Sequence, residues 1–295
     1  MSMHSKRSNN AGERAGPGTL YVVATPIGNL SDISLRALET LRSVHLIAAE
    51  DTRHTRKLLS RHDIHKPLVS YHGHNLERSG RELMERIEAG ESVALVTDAG
   101  TPGVSDPGAL LIAGAVDRGL PLVVIPGPTA LIAALVASGL PTHPFVFLGF
   151  APSRGHGRTK FFASHAILTM TLVLYESPKR LARTLEDILT FWGDRRIAVA
   201  RELTKRHEEV FRGLVSRCRE HFSGEVKGEL TLVVEGAAEG IIAAEREERD
   251  WRGELRLLLD TPGVTLKEAV ERIAAARRVP RRTVYREALR GKPRT

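Results

Sequence analysis

A chain of 295 residues is long enough to form two or three domains with substantial cores. With 42% apolar residues and no apolar run of bilayer length, the composition predicts neither a membrane span nor a secretory signal. Cys218 is the only cysteine, which excludes an intrachain disulfide and a multi-cysteine metal site and favours a reducing, cytoplasmic setting.

The net charge of +8 is concentrated at the two ends of the chain. Residues 1–18 are polar, carry a net charge of +2 and predict a disordered tail. Residues 261–295 hold ten basic and three acidic side chains, a net charge of +7, whereas residues 19–260 carry −1. This asymmetry favours a C-terminal module that binds a polyanion, with a solvated basic tail as the alternative.

Three apolar strands in the first half of the chain end in loops rich in glycine and proline. The strand and loop pairs are 20–24 with 25–32, 93–97 with 98–108, and 122–125 with 126–130. Helical apolar spacing follows each loop, at Leu35, Leu38 and Leu41, at Leu110, Leu111 and Ala115, and at Leu131, Ile132, Leu135 and Val136. This alternation predicts a parallel sheet covered on both faces, with a ligand beyond the carboxyl ends of its strands.

A second series of strands follows a domain boundary that we place just after Ser138. The predicted strands are 145–149, 171–175, 196–200, 209–215 and 229–234. Only one helix, 179–189, clearly separates strands in this series, so we expect a mixed sheet in a domain spanning 139–240, after a first domain at 19–138. The segment 153–160 is basic and glycine-rich and predicts a mobile surface loop.

The last segment, 241–295, predicts a linker and a basic helical hairpin. Residues 239–262 are charge-rich and read as a linker helix, and Thr265 and Glu268 then form a capping box. The helix that follows would bury Leu266, Ala269, Val270, Ile273 and Ala274. Pro280 ends that helix, and a second one is marked by Val284, Tyr285, Ala288 and Leu289, which gives the outline of a helix-turn-helix.

Two nucleotide-binding patterns are absent from the sequence. There is no G-x-x-x-x-G-K-[ST] loop and no G-x-G-x-x-G turn, and the glycine loops lack a lysine that would neutralise phosphate. Loops of this kind suit a neutral or zwitterionic ligand held by backbone groups and small hydroxyls. His72 and His74 could bind a metal, but a pair without a third ligand is typical of hydrogen-bonding residues, so we expect no metal site.

Eight motifs occur in order along the chain and carry a resemblance. They are Thr25–Asp32 (TPIGNLSD), Ala49–Arg53 (AEDTR), Tyr71–Asn75 (YHGHN), Asp98–Gly108 (DAGTPGVSDPG), Pro126–Thr129 (PGPT), Tyr175–Pro178 (YESP), Glu202–Lys205 (ELTK) and Gly228–Thr231 (GELT). Together they resemble the bacterial ribosomal small-subunit RNA ribose 2'-O-methyltransferase I family, part of the tetrapyrrole-methylase superfamily. The resemblance extends over roughly residues 18–290.

The resemblance implies an α/β fold of two tetrapyrrole-methylase-like domains and a small helical C-terminal domain. It also implies S-adenosylmethionine in the cleft between the two domains, homodimerisation, and methylation of a cytidine ribose in the decoding centre of 16S ribosomal RNA, in the small ribosomal subunit. Two alternatives are a relative that methylates a tetrapyrrole precursor and a non-catalytic ribosome assembly factor. The basic C-terminal module argues against the first, and the intact glycine loops argue against the second.

Site residues follow from the resemblance motif by motif. The implied cofactor contacts are Pro26, Gly28, Asp98, Ala99, Gly100, Thr101, Val104, Ser105, Thr129, Ala130, Tyr175, Glu176, Leu203 and Leu230. A ribose hydroxyl is a weak acid, so a base or a nearby cation is expected. Asp51, Glu176 and Lys205 are put first for this role, with His72 and Glu208 as further candidates, although Asp51 could simply cap a helix. The RNA-binding candidates are Arg53, His72, Lys160, Lys205, Arg281, Arg282 and Arg286.

Overall fold

The computed structural model describes residues 16–73, 75–238, 251–277 and 279–290. The predicted tail therefore lies outside the described residues up to position 15, as does His74. None of the described helices is long and apolar enough to cross a membrane.

The first sheet has five parallel strands in the order β3-β2-β4-β1-β5. The strands are β1 (Leu20–Val23), β2 (Leu46–Ala49), β3 (Leu68–Ser70), β4 (Val93–Val96) and β5 (Leu122–Ile125). The helices around it are α1 (Leu35–Ser43), α2 (Thr52–Arg61), α3 (Leu76–Glu88) and α4 (Ala109–Asp117). One face packs against α1 and α2 and the other against α3 and α4, which confirms the prediction of a parallel sheet covered on both faces.

The second sheet is mixed, as predicted, with the strand order β6-β7-β10-β8-β9. Its strands are β6 (Phe145–Phe150), β7 (Thr171–Glu176), β8 (Arg196–Arg201), β9 (Glu209–Leu214) and β10 (Leu230–Val234). Strands β6 and β7 are parallel, and the other neighbours are antiparallel. Helices α6 (Gly155–His165), α7 (Pro178–Trp192) and α8 (Val215–His221) cover one face of this sheet.

Helix α5 (Ala130–Ser138) covers the other face of the second sheet, although it directly follows the last strand of the first sheet. It buries Ala134 and Leu135 against the second sheet and leaves Ile132 and Val136 exposed. The predicted apolar face of α5 was therefore partly wrong, because it included both exposed residues. The boundary that we placed after Ser138 stays a prediction.

Helix α6 corrects the expectation of a mobile loop at 153–160. The helix begins at Gly155, and the side chain of Arg158 is almost fully buried in an ion pair with Asp187, with 2.6 Å between nitrogen and oxygen. Arg158 also donates a hydrogen bond of 2.9 Å to the hydroxyl of Thr184 on α7. Basic and glycine-rich composition resembles that of a surface loop, and only the acceptors on α7 reveal that this arginine belongs to the core.

The C-terminal residues form a unit of three helices with its own core. Residues 251–260 are helical (α9), followed by α10 (Leu266–Arg277) and α11 (Arg281–Arg290). The predicted capping box is present, because the amide of Glu268 donates to Thr265 Oγ1 and the amide of Thr265 donates to Glu268 Oε2. The core residues are Trp251, Leu255, Ala269, Val270, Ile273, Val284 and Ala288. Helix α9 lies in the segment predicted as a linker, yet it supplies two of these core side chains.

Candidate active site

A cavity of about 280 Å³ lies where the two sheets meet. The loops after β1, β4 and β5 form one wall, and the ends of β6, β7 and β8 form the other. Because β10 is antiparallel to β7 and β8, its first residues also reach this cavity. The predicted cofactor residues that line it are Ala99, Gly100, Thr101, Val104, Thr129, Ala130, Tyr175, Glu176, Leu203 and Leu230.

Four of the predicted cofactor residues do not line the cavity, but each precedes or follows a residue that does. They are Pro26, Gly28, Asp98 and Ser105. The sequence reasoning missed other lining residues, namely Ile27, Asp106, Phe150, Ser177, Pro178, Ala200, Gly228, Glu229 and Thr231. Most of these residues lie within the eight motifs. The motifs therefore indicated the right loops, but not which of their residues face the cavity.

The loop 98–108 is held in a conformation that ordinary side chains adopt rarely. Gly100, Gly103, Ser105 and Gly108 all have positive φ, with +81° at Gly100. Thr25 and Gly100 exchange two backbone hydrogen bonds of 2.8 and 3.1 Å, which fix this loop to the one after β1. Gly100 therefore lines the cavity, and the other positive-φ residues set the course of its loop.

Close contacts between the two walls hold the cavity in shape. A Cβ atom on Gly28 would lie 2.8 Å from the carbonyl oxygen of Leu203 and 2.6 Å from Thr204 Oγ1, so only glycine fits there. The next amide, of Asn29, donates a hydrogen bond of 3.0 Å to the same threonine hydroxyl. Gly28 thus contributes by admitting the opposite loop rather than by lining the cavity.

Asp51 acts as the N-cap of α2. Its carboxylate accepts a 2.7 Å hydrogen bond from the amide of Arg53 and pairs with that guanidinium at 2.8 Å. The hydrogen bonds from Arg53 hold the pKa of Asp51 far below its usual range. Asp51 therefore caps α2, which was the alternative to a catalytic role, and it does not line the cavity.

Glu176 lines the cavity, but its carboxylate is almost fully buried and occupied by hydrogen-bond donors. It accepts hydrogen bonds from the Ser177 amide at 2.8 Å, from Arg180 Nε at 2.6 Å and from Thr184 Oγ1 at 2.5 Å. These three donors occupy both carboxylate oxygens and fix the orientation of the side chain. Glu176 is therefore suited to holding the end of β7 in place.

Lys205 bridges two acidic residues at the edge of the cavity. Its ammonium lies 2.8 Å from Glu202 Oε1 and 2.8 Å from Glu229 Oε2. Burial opposes the charge of Lys205, but the hydrogen bonds to Glu202 and Glu229 outweigh it and raise the pKa of the lysine. Lys205 thus stays charged and ties the loop after β8 to the start of β10.

Asp106 is the acidic lining residue that differs from the others. Within the described part of the chain, its carboxylate has no hydrogen-bond donor, unlike those of Glu176 and Glu229. Burial raises the pKa of Asp106 to about 7, helped by the nearby carboxylates of Glu50 and Asp98. A carboxylate with a pKa near neutrality, exposed to a cavity, is suited to exchanging a proton with a bound molecule.

The predicted RNA-binding residues other than Lys205 lie in three places. Arg53 and His72 lie on the first domain near Glu50, whereas Arg281, Arg282 and Arg286 are exposed on α11, and Lys160 is exposed on α6. Arg281 forms an ion pair with Glu271 through one terminal nitrogen, and its side chain is 64% exposed. Across the described residues, no group of three or more His, Cys, Asp or Glu side chains is placed to hold a metal ion.

Comparisons with known proteins agree with this architecture. Residues 19–218 match the family model of Tetrapyrrole (Corrin/Porphyrin) Methylases. A crystal structure of diphthine synthase superposes with a TM-score of 0.60 at 18% identity, covering 74% of this chain and 90% of that one. The crystal structure of uroporphyrin-III-C-methyltransferase from Thermus thermophilus superposes with a TM-score of 0.53 at 21% identity. The match covers 77% of this chain and 98% of that one. The fold is therefore that of a tetrapyrrole methylase.

Curated relatives define the family more narrowly. Ribosomal RNA small subunit methyltransferase I of Synechocystis is 47% identical over 92% of this chain and 98% of its own length. The protein of the same name from Bacillus subtilis is 41% identical over 95% of this chain and 97% of its own length. The chain belongs to the ribosomal RNA small subunit methyltransferase I family.

The conformation of Gly100 gives a direct test of the cavity. We expect Gly100→Val to weaken binding of S-adenosylmethionine at least tenfold, because a β-branched residue is strained at φ of +81° and its branches would enter the cavity. Isothermal titration calorimetry measures this. The control is Gly157→Val, at a glycine with open space around its Cβ and no positive φ. Equal affinities for the two variants would place the binding site elsewhere.

Proposed function

We propose that this protein transfers a methyl group from S-adenosylmethionine to the ribose 2'-oxygen of a cytidine in the decoding centre of 16S ribosomal RNA. The observation that carries the proposal is the cavity, since ten of the fourteen residues assigned to the cofactor by resemblance line it. Family membership supports ribosomal RNA as the substrate class. The nucleotide and the oxygen come from the motif resemblance, and a ribosomal substrate is consistent with a cytoplasmic protein.

The cavity fits a compact cation with polar ends. S-adenosylmethionine supplies a methyl carbon that is already activated by a positively charged sulfur. Backbone groups of Ala99 and Thr101 and the hydroxyl of Thr129 provide polar contacts, while Tyr175 and Phe150 provide apolar surface. The carboxylate of Asp106 supplies a negative charge that has no cationic partner among the described residues.

Proton removal from the ribose hydroxyl is the step for which the protein must supply a group. Of the three residues predicted for this task, Asp51 is bound to Arg53, Glu176 has three donors and Lys205 is held between two glutamates. We propose Asp106 in their place as the group that accepts the hydroxyl proton. The roles left to Glu176 and Lys205 are positioning ones.

The C-terminal unit is the first proposed RNA contact. Arg282 and Arg286 are exposed on α11, and the apolar side chains of Tyr285 and Leu289 are half exposed beside them. Mixed cationic and aromatic surface is typical of single-stranded RNA contacts. A small-molecule methylase acting on a tetrapyrrole precursor has no use for such a unit.

The substrate assay uses tritiated S-adenosylmethionine with small ribosomal subunits that lack this modification, and a tetrapyrrole precursor in parallel. We expect label in the RNA, mapped to one cytidine 2'-oxygen. Label in the tetrapyrrole alone would overturn the substrate. Label in neither, with subunit binding retained, would support the non-catalytic assembly factor.

A pH profile tests Asp106. Methyl transfer should fall about tenfold per pH unit below pH 7 and level off above it, since the base must be ionised and its pKa is about 7. Asp106→Asn should lower the rate by about 10² to 10⁴ and remove this acid limb. Asp51→Asn is the control and should keep the limb, because its carboxylate only caps α2. An Asp106→Asn enzyme with the wild-type profile would exclude the role.

Stability provides a second readout for the same variant. The pKa of Asp106 is raised on folding from 3.8 to about 7, so its contribution to stability is present at low pH and lost as pH rises through that window. Asp106→Asn should therefore gain thermal stability relative to wild type at pH 8. The gain should shrink at pH 5.

Homodimerisation is proposed from the resemblance and is supported by an apolar surface around the edge strand β5. Its exposed side chains are Leu110 and Val116 on α4, Val123 and Val124 on β5, and Ile132 and Val136 on α5. Exposed apolar side chains beside an edge strand are typical of an interface between copies. We propose a second copy of this chain as its occupant.

Charge introduced on this surface should dissociate the dimer. Val124→Glu combined with Val136→Glu places two charges where the copies would meet, and a buried unpaired charge costs several kcal/mol. Multi-angle light scattering measures the mass. Leu257→Glu on α9, at a leucine that is 72% exposed elsewhere, is the control and should leave the mass unchanged. A dimer that survives the double substitution would use another surface.

A further inference from the structure

The exposed face of α2 is the most one-sided charged surface of the first domain. It carries Arg53, His54, Arg56, Lys57 and Arg61, and the helix contains no acidic residue. Three of these, Arg56, Lys57 and Arg61, form no ion pair with any described residue. We refer to these three side chains as the α2 basic ridge.

A solvated helix face of this protein looks different. On α3, which packs on the opposite face of the same sheet, Arg78 pairs with Glu82 and Arg86 pairs with Glu91. Such mixed charges keep a surface soluble with little net field. The α2 basic ridge instead has three positive charges within six residues and no acidic neighbour on the helix, so its charges repel one another unless an anion binds.

Helix α2, which carries the ridge, begins beside the cavity. The amide of Asp51, the residue before α2, donates a 3.2 Å hydrogen bond to Asp98, and the next residue, Ala99, lines the cavity. From there the ten residues of α2 run for about 15 Å. Arg56, Lys57 and Arg61 span about 8 Å of this length, and a nucleic acid strand advances about 3.4 Å per nucleotide in a helix, so the ridge can contact two or three phosphates.

The chemistry of the ridge favours a nucleic acid backbone over a protein or a membrane. The leucines of α2, Leu58 and Leu59, are buried against the sheet, so the exposed face has no apolar anchor for a protein partner or a lipid surface. What remains is a line of guanidinium and ammonium groups, which recognise phosphate.

We propose that the α2 basic ridge binds the phosphodiester backbone of the RNA strand next to the nucleotide that enters the cavity. This inference rests on the proposed function. It adds an RNA contact on the first domain to the RNA contact proposed for α11. The ridge fixes the register of the strand, and the cavity then receives the adjoining ribose. Its residues are positioning residues, since they contact phosphates rather than the reacting atoms.

The test compares two triple variants of equal charge. Arg56→Gln, Lys57→Gln and Arg61→Gln neutralise the ridge, and Arg217→Gln, Arg219→Gln and Lys227→Gln neutralise three exposed cations of the second domain. Binding to small ribosomal subunits lacking the modification is measured at 50 and 200 mM salt. The wild-type protein loses affinity for subunits when salt rises from 50 to 200 mM. In the ridge variant, which lacks three phosphate contacts, this loss should be smaller by about 20- to 40-fold. In the second-domain variant it should equal that of the wild type.

Further measurements separate the possible outcomes. Both variants should bind S-adenosylmethionine and unfold thermally like wild type, and the ridge variant should show a raised KM for subunits with a nearly unchanged kcat. A ridge variant with the wild-type salt response would overturn the inference, as would loss of binding to anionic phospholipid vesicles without loss of subunit binding. If wild-type enzyme itself fails to label subunits, the proposed function fails instead.

Discussion

The packing of α5 on the second sheet is the constraint on which the site depends. This helix is joined to the last strand of the first sheet by the loop 126–129, yet it buries Ala134 and Leu135 against β7, β8 and β10. Its first turn is further held by the hydroxyl of Tyr175, which accepts a 3.2 Å hydrogen bond from the amide of Leu131. One short helix thus brings the strand ends of two separate sheets to the same cavity.

The close approach of the two walls restricts which residues can occupy them. Gly28 admits the loop after β8, and Gly228 admits the side chain of Glu202, which a Cβ would approach to 2.4 Å. Glu202 then accepts hydrogen bonds from the amide of Glu229 and from Lys205. These glycines are therefore needed for the contact between loops, and the sequence pattern of glycines at strand ends reflects this geometry as much as ligand contact.

Much of the fold and the cavity wall could be predicted from local pattern, because apolar strands and glycine-rich turns act over a few residues. The hydrogen-bond partners and the protonation of the site side chains could not be predicted from the sequence. Glu176 looks available in the sequence, but Thr184 lies eight residues further on and occupies its carboxylate only once α7 has folded. Asp106 looks like one more loop residue, and its raised pKa depends first on its burial and then on carboxylates such as Glu50 and Glu229, which come from distant parts of the chain.

The near-neutral charge of residues 19–260 is the sum of a basic region and an acidic region, which differ in their preference for RNA and for a cationic methyl donor. Residues 19–260 sum to −1, yet α2 is strongly basic, and Glu50, Asp98 and Asp106 form an acidic group at the cavity. Such an acidic group would stabilise a cationic methyl donor and repel an RNA backbone. The two regions meet at the start of α2, where Asp51 pairs with Arg53. If RNA binds as we propose, a strand held on the basic side would present a ribose rather than its phosphates to the acids, and this division of charge would limit which part of the RNA reaches the methyl donor.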